Sequence, residues 1–215
     1  MREILELFDK GRMKKINIKS EQTHFIGCWN LENNELCEEI KKFFENNKNL
    51  QKQGVFGSGK KDLKVKSTID IAVTPNDLKK PKFEILKQYV NELHKCFLDY
   101  QNQWPFLKSM IKDIDIGEFN IGKYSPGDHF AILHSERTSL ATLHRLFAWM
   151  TYLNDVDDGG NTNFNHYGIK IKPEIGKTLI WPAEWTHAHA GEVLKSGTKY
   201  IVTGWVHFPT LDLKE

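Results

Sequence analysis

Cysteine is scarce in this sequence and poorly spaced. Cys28, Cys37 and Cys96 are odd in number, scattered, and form no CxxC pair, which excludes a disulfide framework and a zinc knuckle. Long hydrophobic runs are missing too, since no stretch approaches the roughly 20 residues of a membrane helix. A surplus of one charge is also lacking: 30 Lys and Arg stand against 28 Asp and Glu, a formal net charge of +2. That is too balanced a field to predict nucleic-acid binding. The basic clusters Lys10–Lys15 and Lys60–Lys66 read as solvated loops. No internal repeat or low-complexity segment divides the chain. Its opening stretch, "MREILELFDKGRMKK", is charged throughout and has no apolar centre, unlike a signal peptide. What remains is a 215-residue chain with enough apolar content for one sizeable domain. Its expected setting is a reducing cytosol, without a membrane or a nucleic-acid partner, and its oligomeric state is not fixed by these features.

Two kinds of pattern share the chain. Residues 1–110 read as a mixed, helix-rich support. "THFIGCWN" is a short strand candidate, and Asn33 or Asn34 offers an N-cap for the helix "ELCEEIKKFFENN". In that helix Leu36, Ile40, Phe43 and Phe44 fall on one face. Residues 49–67 are rich in Lys, Gly and Gln, show no period, and read as a long loop. "STIDIAVTP" is a strand closed by Pro75. From Pro81 to about Met110 runs the longest helical pattern, which Pro105 should break or kink. Residues 111–210 then change character. About seven short β-rich runs follow, separated by turn signals such as Asp157-Asp158-Gly159-Gly160, and point to a sandwich or jelly roll. The expected class is α+β, one domain over residues 1–215, with a double-stranded β-helix (jelly roll) buttressed by N-terminal helices.

Chemistry enters with "HSE", His134-Ser135-Glu136. Alternation along a strand sends His134 and Glu136 to the same face. A carboxylate there, beside apolar Phe130–Leu133, is costly to bury without a partner. On its own, HxE is commonly a surface ion pair. Two imidazoles and a carboxylate, however, form a facial triad whose nitrogen and oxygen donors suit Fe(II) and leave one face open. Further along, "WPAEWTHAHAGEVLKSGTKY" offers His187 and His189, alternating as if on one face of an extended segment. Gly197 and Lys199 follow, and Lys199 could meet an acidic cosubstrate as a point charge.

With these residues in view the sequence resembles the Fe(II)- and 2-oxoglutarate-dependent dioxygenases, in particular their prolyl 4-hydroxylase-like branch. "YSPGDHF" is similar to the family's entry to the first ligand strand, and "HSE" stands where the family has His-x-Asp or His-x-Glu. "MTYLNDVDDGGNTNF" and "GKTLIWPAEWTHAHAGEVLKSGTKYIVTGW" resemble its next two segments in order. The match covers roughly Asp113 to Phe208. Upstream it is loose, with "VKST" at Val65–Thr68 similar to a basic-Ser strand near the substrate channel.

The resemblance implies metal ligands His134, Glu136 and a distal histidine. His189 stands ten residues before Lys199 and eight before Gly197, the family's usual intervals. His187 instead fits the interval from Trp181-Pro182. His189 is preferred, and the other imidazole is expected to face the same pocket. Lys199 is implied to pair with the distal carboxylate of 2-oxoglutarate, with Tyr152 as its hydroxyl companion, Tyr124 lining the pocket and Trp205 walling it. Arg145 and His166 are candidates to face substrate. Fe(II), 2-oxoglutarate and O₂ are the implied cofactors. The implied activity is hydroxylation of an unactivated C–H, favouring a prolyl residue of a peptide or protein, with release of succinate and CO₂. A free amino acid or small metabolite stays open as substrate, and so does a non-catalytic β-helix module that binds a metal or ligand. A carboxylate at 136 argues against a halogenase, which needs a small residue there.

Overall fold

The computed structural model describes residues 13–19, 23–56, 59, 61–111 and 113–209. The charged opening stretch as far as Arg12, and Lys60 of the second basic cluster, lie outside the described residues. Strands are β1 (Lys14–Lys15), β2 (Gly27–Asn30), β3 (Lys52–Gln53), β4 (Ile69–Val73), β5 (Asp115–Ile116), β6 (Phe119–Tyr124) and β7 (Phe130–His134). They continue as β8 (Arg145–Tyr152), β9 (Thr162–Phe164), β10 (Ile169–Ile171), β11 (Lys177–Pro182), β12 (His189–Gly191) and β13 (Lys199–His207). Helices are α1 (Asn34–Asn46), α2 (Glu84–Gln103) and α3 (Pro105–Met110). The helices form where the sequence predicts them. The Asn33 side chain accepts from the Leu36 amide at 3.0 Å and caps α1. Pro105 ends the long pattern by opening α3, where its missing N–H costs nothing.

Two antiparallel sheets carry the rest. The larger runs β1-β2-β11-β8-β13-β6-β4-β3, with β5 also paired to β13, and the smaller runs β10-β9-β12-β7. The N-terminal half is therefore more than a helical buttress, because β1 to β4 join the large sheet. The loop expected over 49–67 likewise contains β3, and Ser67 bridges to His129. Strand alternation gives the large sheet two apolar faces. Phe147 and Trp149 of β8 and Val202 and Val206 of β13 pack against α1 and α2, in a core that includes Phe44, Tyr89, Leu93 and Phe97. The intervening Ala148, Met150, Tyr152 and Ile201 face the small sheet, with Leu179, Trp181, Phe164 and Ile171. Three layers result, and the second core sits where the site lies. Tyr89 of α2 pins the layers by donating to Thr151 Oγ1 at 2.7 Å.

Gly204 shows how closely the central strands meet the first core. A Cβ there would stand 2.6 Å from Phe119 Cβ and 2.7 Å from Trp149 Cζ2. Gly204→Ala is expected to destabilise the fold by about 1–3 kcal/mol. Urea unfolding would show it as a lower midpoint at unchanged slope, and an unshifted midpoint would mean this core is not tightly packed. Among the described residues, no helix is long and apolar enough to cross a membrane.

Candidate metal centre

β7 and β12 lie side by side in the small sheet, with His134 directly opposite His189. Their rings are 4.4 Å apart between centroids. Glu136, just past the end of β7, turns its carboxylate to both: Oε1 is 3.4 Å from His189 Nε2 and 3.8 Å from His134 Nε2. One ligand atom from each residue falls within 4.8 Å of the others. Among the described residues this is the one group of three or more His, Cys, Asp or Glu so arranged.

The imidazoles are oriented by main chain. His134 Nδ1 is 2.8 Å from the Ile132 carbonyl, and His189 Nδ1 is 2.9 Å from the His187 carbonyl. A carbonyl only accepts, so each Nδ1 carries a proton, and in the neutral imidazole each Nε2 turns its lone pair inward. This arrangement is what metal-binding histidines need from the groups behind them. Phe130 stacks on His134 at 4.0 Å, while Trp181 and Phe164 stand 5.0 and 5.5 Å from His189. Burial and the neighbouring His189 push His134 down to about 4. Burial alone would raise the Glu136 carboxyl, but His189, His134 and the Trp205 indole outweigh it and hold it at about 2. Near neutrality His134 is neutral and Glu136 ionised, which are the forms that bind a cation.

His187 is placed elsewhere, correcting the expectation that both imidazoles share one pocket. It lies in a 3₁₀ turn, Trp185–His187, and not in the strand, so the alternation fails. Its Nε2 donates to the His24 carbonyl at 2.8 Å, and its Nδ1 is 3.0 Å from the Thr186 hydroxyl. Both ring nitrogens are thus engaged away from Glu136.

A buried cation stands on the inward face of β13. Lys199 is 3% exposed. Its Nζ donates to the Gly160 carbonyl at 2.9 Å and lies 4.1 Å from the centre of the Tyr124 ring. Gly160 is in the left-handed region at φ 66°, and a Cβ there would come within 3.3 Å of Lys199 Cδ. Burial pushes the Lys199 ammonium down to about 8, against the pull of Glu192. Glu192 itself is taken up by Asn161, Asn163 and Lys170. A buried ammonium with only a carbonyl and a ring beside it is a place for an anion. Tyr152 is fully buried nearby, but its hydroxyl donates to Thr162 at 2.6 Å. Burial raises the Tyr124 and Tyr152 hydroxyls far above their ordinary range, so both stay protonated.

The sequence places all these residues in one stretch that also matches a known family. Residues 119–207 match the model of the 2OG-Fe(II) oxygenase superfamily. That stretch runs from β6 to the end of β13. All seven preferred site residues, from Tyr124 to Trp205, lie within the oxygenase match. The chain is also similar to human prolyl 4-hydroxylase subunit alpha-1, 24% identical over 111 residues, 46% of this chain and 20% of that one. Human procollagen-lysine,2-oxoglutarate 5-dioxygenase 2 is 28% identical over 130 residues, 54% and 17% of the two chains. The chain thus spans about a fifth of the length of the curated relatives it matches. Among solved structures, a Pseudomonas putida prolyl-4-hydroxylase superposes with a TM-score of 0.65 at 17% identity, covering 87% of this chain and 95% of that one. A Trichoplax adhaerens prolyl hydroxylase, solved with a hypoxia inducible factor oxygen degradation domain peptide fragment, gives 0.66 at 14% identity, covering 86% and 84%. These likenesses show a shared fold.

The oxygenase match leaves one contact of this site unannounced. Trp205 Nε1 donates to Glu136 Oε2 at 2.6 Å, across 69 residues of chain. Arg145 is beside both, with its guanidinium 3.7 Å from the Trp205 ring centre. His166 pairs edge-on with the exposed Trp185 ring at 5.9 Å.

Proposed function

We propose that this chain is an Fe(II)- and 2-oxoglutarate-dependent dioxygenase, a single domain whose two sheets form a double-stranded β-helix (jelly roll). Its proposed reaction is hydroxylation of an unactivated C–H, with a prolyl residue of a peptide or protein as the substrate. The observation that carries this reading is the meeting of three ligand atoms, two inward Nε2 lone pairs and one carboxylate oxygen. Donors of that kind and number fit Fe(II) and leave positions free for other ligands. His134, Glu136 and His189 would hold the iron. Bound iron supplies the oxidising chemistry, in which 2-oxoglutarate and O₂ are consumed and succinate and CO₂ released.

The chain's own residues do the rest. Lys199 gives the distal carboxylate of 2-oxoglutarate a charged partner in a dry pocket, and Tyr124 covers that ammonium on one side. Tyr152, locked on Thr162, walls the pocket without titrating. The apolar layer of Ile201, Leu194 and Trp181 keeps water from the space between the sheets. A polypeptide substrate is supported by the names of the relatives and by β7. That strand is the open edge of the small sheet and exposes Ile132 and Leu133 on its way to His134. Three free, buried cysteines support a cytosolic setting.

Anaerobic mixing with Fe(II) and 2-oxoglutarate is expected to give a weak visible charge-transfer band, and admission of O₂ to give slow succinate release without substrate. A binding module releases no succinate. Absence of both from wild-type protein would sink the enzyme reading, and product analysis on proline-containing peptides tests the substrate.

A further inference from the structure

Glutamate is one methylene longer than aspartate, so a glutamate ligand has more freedom to swing or to offer both oxygens. Here that freedom is removed from one side. Oε2 of Glu136 accepts the Trp205 indole N–H at 2.6 Å, while Oε1 alone faces the two histidines. Arg145 braces the same residue twice. Its Nη1 donates to the Glu136 main-chain carbonyl at 3.1 Å and stands 3.7 Å from Oε2. The guanidinium also lies over the Trp205 ring, fixing the indole plane. Arg145 is held in turn from Arg137, whose Nε donates to the Arg145 carbonyl at 2.9 Å.

A local departure from strand regularity aims Arg145 at this task. In strict alternation Arg145 would share the face of Phe147, toward the helices. The β8–β13 register slips between Val206 and His207, which pair with Phe147 and Arg145, leaving Leu146 as an extra residue. Leu146 and Phe147 both pack with the helical core. The bulge thereby turns Arg145 to the opposite face, onto Trp205.

We propose that Trp205 and Arg145 are positioning residues that hold back Oε2 of Glu136, so that Glu136 offers Oε1 as its single ligand atom. This inference rests on reading His134, Glu136 and His189 as a metal site. It makes glutamate at 136 and tryptophan at 205 a matched pair. An aspartate could not span the distance to both the histidines and the indole, so Glu136→Asp would forfeit the Trp205 bond as well.

Anaerobic titration of the full chain with Co(II), followed by its visible absorption, tests this. Trp205→Phe, which keeps a ring for Arg145, is expected to weaken Co(II) binding by ~10-fold or more and to change the band shape. Added to Glu136→Asp, the same substitution should cost less than about 2-fold further. Melting temperatures of the metal-free proteins separate this from lost folding. Should Trp205→Phe fail to fold, Arg145→Met is read in the same titration, with weaker binding expected. Wild-type affinity in Trp205→Phe or in Arg145→Met overturns the proposal. So does a double variant that loses the full product of the single effects. If wild-type protein itself gives no Co(II) band, the metal reading fails, and this inference fails with it.

Discussion

His189→Ala is expected to lose 2-oxoglutarate turnover by more than ~100-fold, the upper end for a residue that merely holds a ligand in place. His187→Ala, two residues away, is expected to keep most of it. The two imidazoles differ in what they touch. His189 Nε2 faces Glu136 Oε1, whereas both nitrogens of His187 are engaged with His24 and Thr186. What His187 contributes to the site is its main-chain carbonyl, which accepts from His189 Nδ1. Alanine retains that carbonyl. The His187 side chain does matter to the fold, because its removal leaves the His24 carbonyl without that donor, at a cost of about 1–3 kcal/mol if water cannot replace it. The two variants should therefore separate by activity, one inactive and the other active, while both lose some stability because each strips a carbonyl of its imidazole donor. Succinate release and thermal melts on both would decide it. An active His189→Ala beside an inactive His187→Ala would reverse the assignment.

That contrast also shows where sequence reasoning stops. His134 and Glu136 are legible because the period of two survives to the end of β7 and just beyond it. His187 and His189 look equivalent on the same rule. The difference between them comes from a single 3₁₀ turn, which breaks the period without any glycine or proline inside it to announce it. The main-chain carbonyls that set the histidine tautomers leave no trace in residue types at all. Helix α1 is readable from Asn33 and one apolar face, and α2 from its long periodic stripe. β1 and β3 are not, since Lys14–Lys15 and Lys52–Gln53 are too short and polar to show a pattern. They are strands because the large sheet offers them an edge. The Trp205–Glu136 bond is hidden for a related reason. It depends on the register of β13 against β8 and on a bulge that only pairing reveals.

Lys199→Met is expected to move stability and binding in opposite directions. The metal-free protein should become more stable by about 1–2 kcal/mol, because a buried ammonium without a carboxylate partner is replaced by an apolar side chain of similar length. The gain is partly offset by the Gly160 carbonyl, which loses its donor. Affinity of the Co(II)-loaded protein for 2-oxoglutarate should fall by ~30-fold or more, as for loss of one partner of a buried charge pair. The pH dependence follows from the lowered ammonium of Lys199, at about 8 in the fold. Above that pH the folded protein has released a proton that the unfolded chain, with an ordinary lysine, still holds. Wild-type stability therefore rises with pH through this window, and the advantage of the methionine variant shrinks. Over the same window wild-type affinity for 2-oxoglutarate should decline as the cation is lost, while the weak binding of Lys199→Met stays flat. Thermal melts and calorimetric titrations from pH 7 to pH 10 measure both trends. A methionine variant that is less stable, yet binds 2-oxoglutarate as wild type does, would show that Lys199 serves the fold and not the cosubstrate.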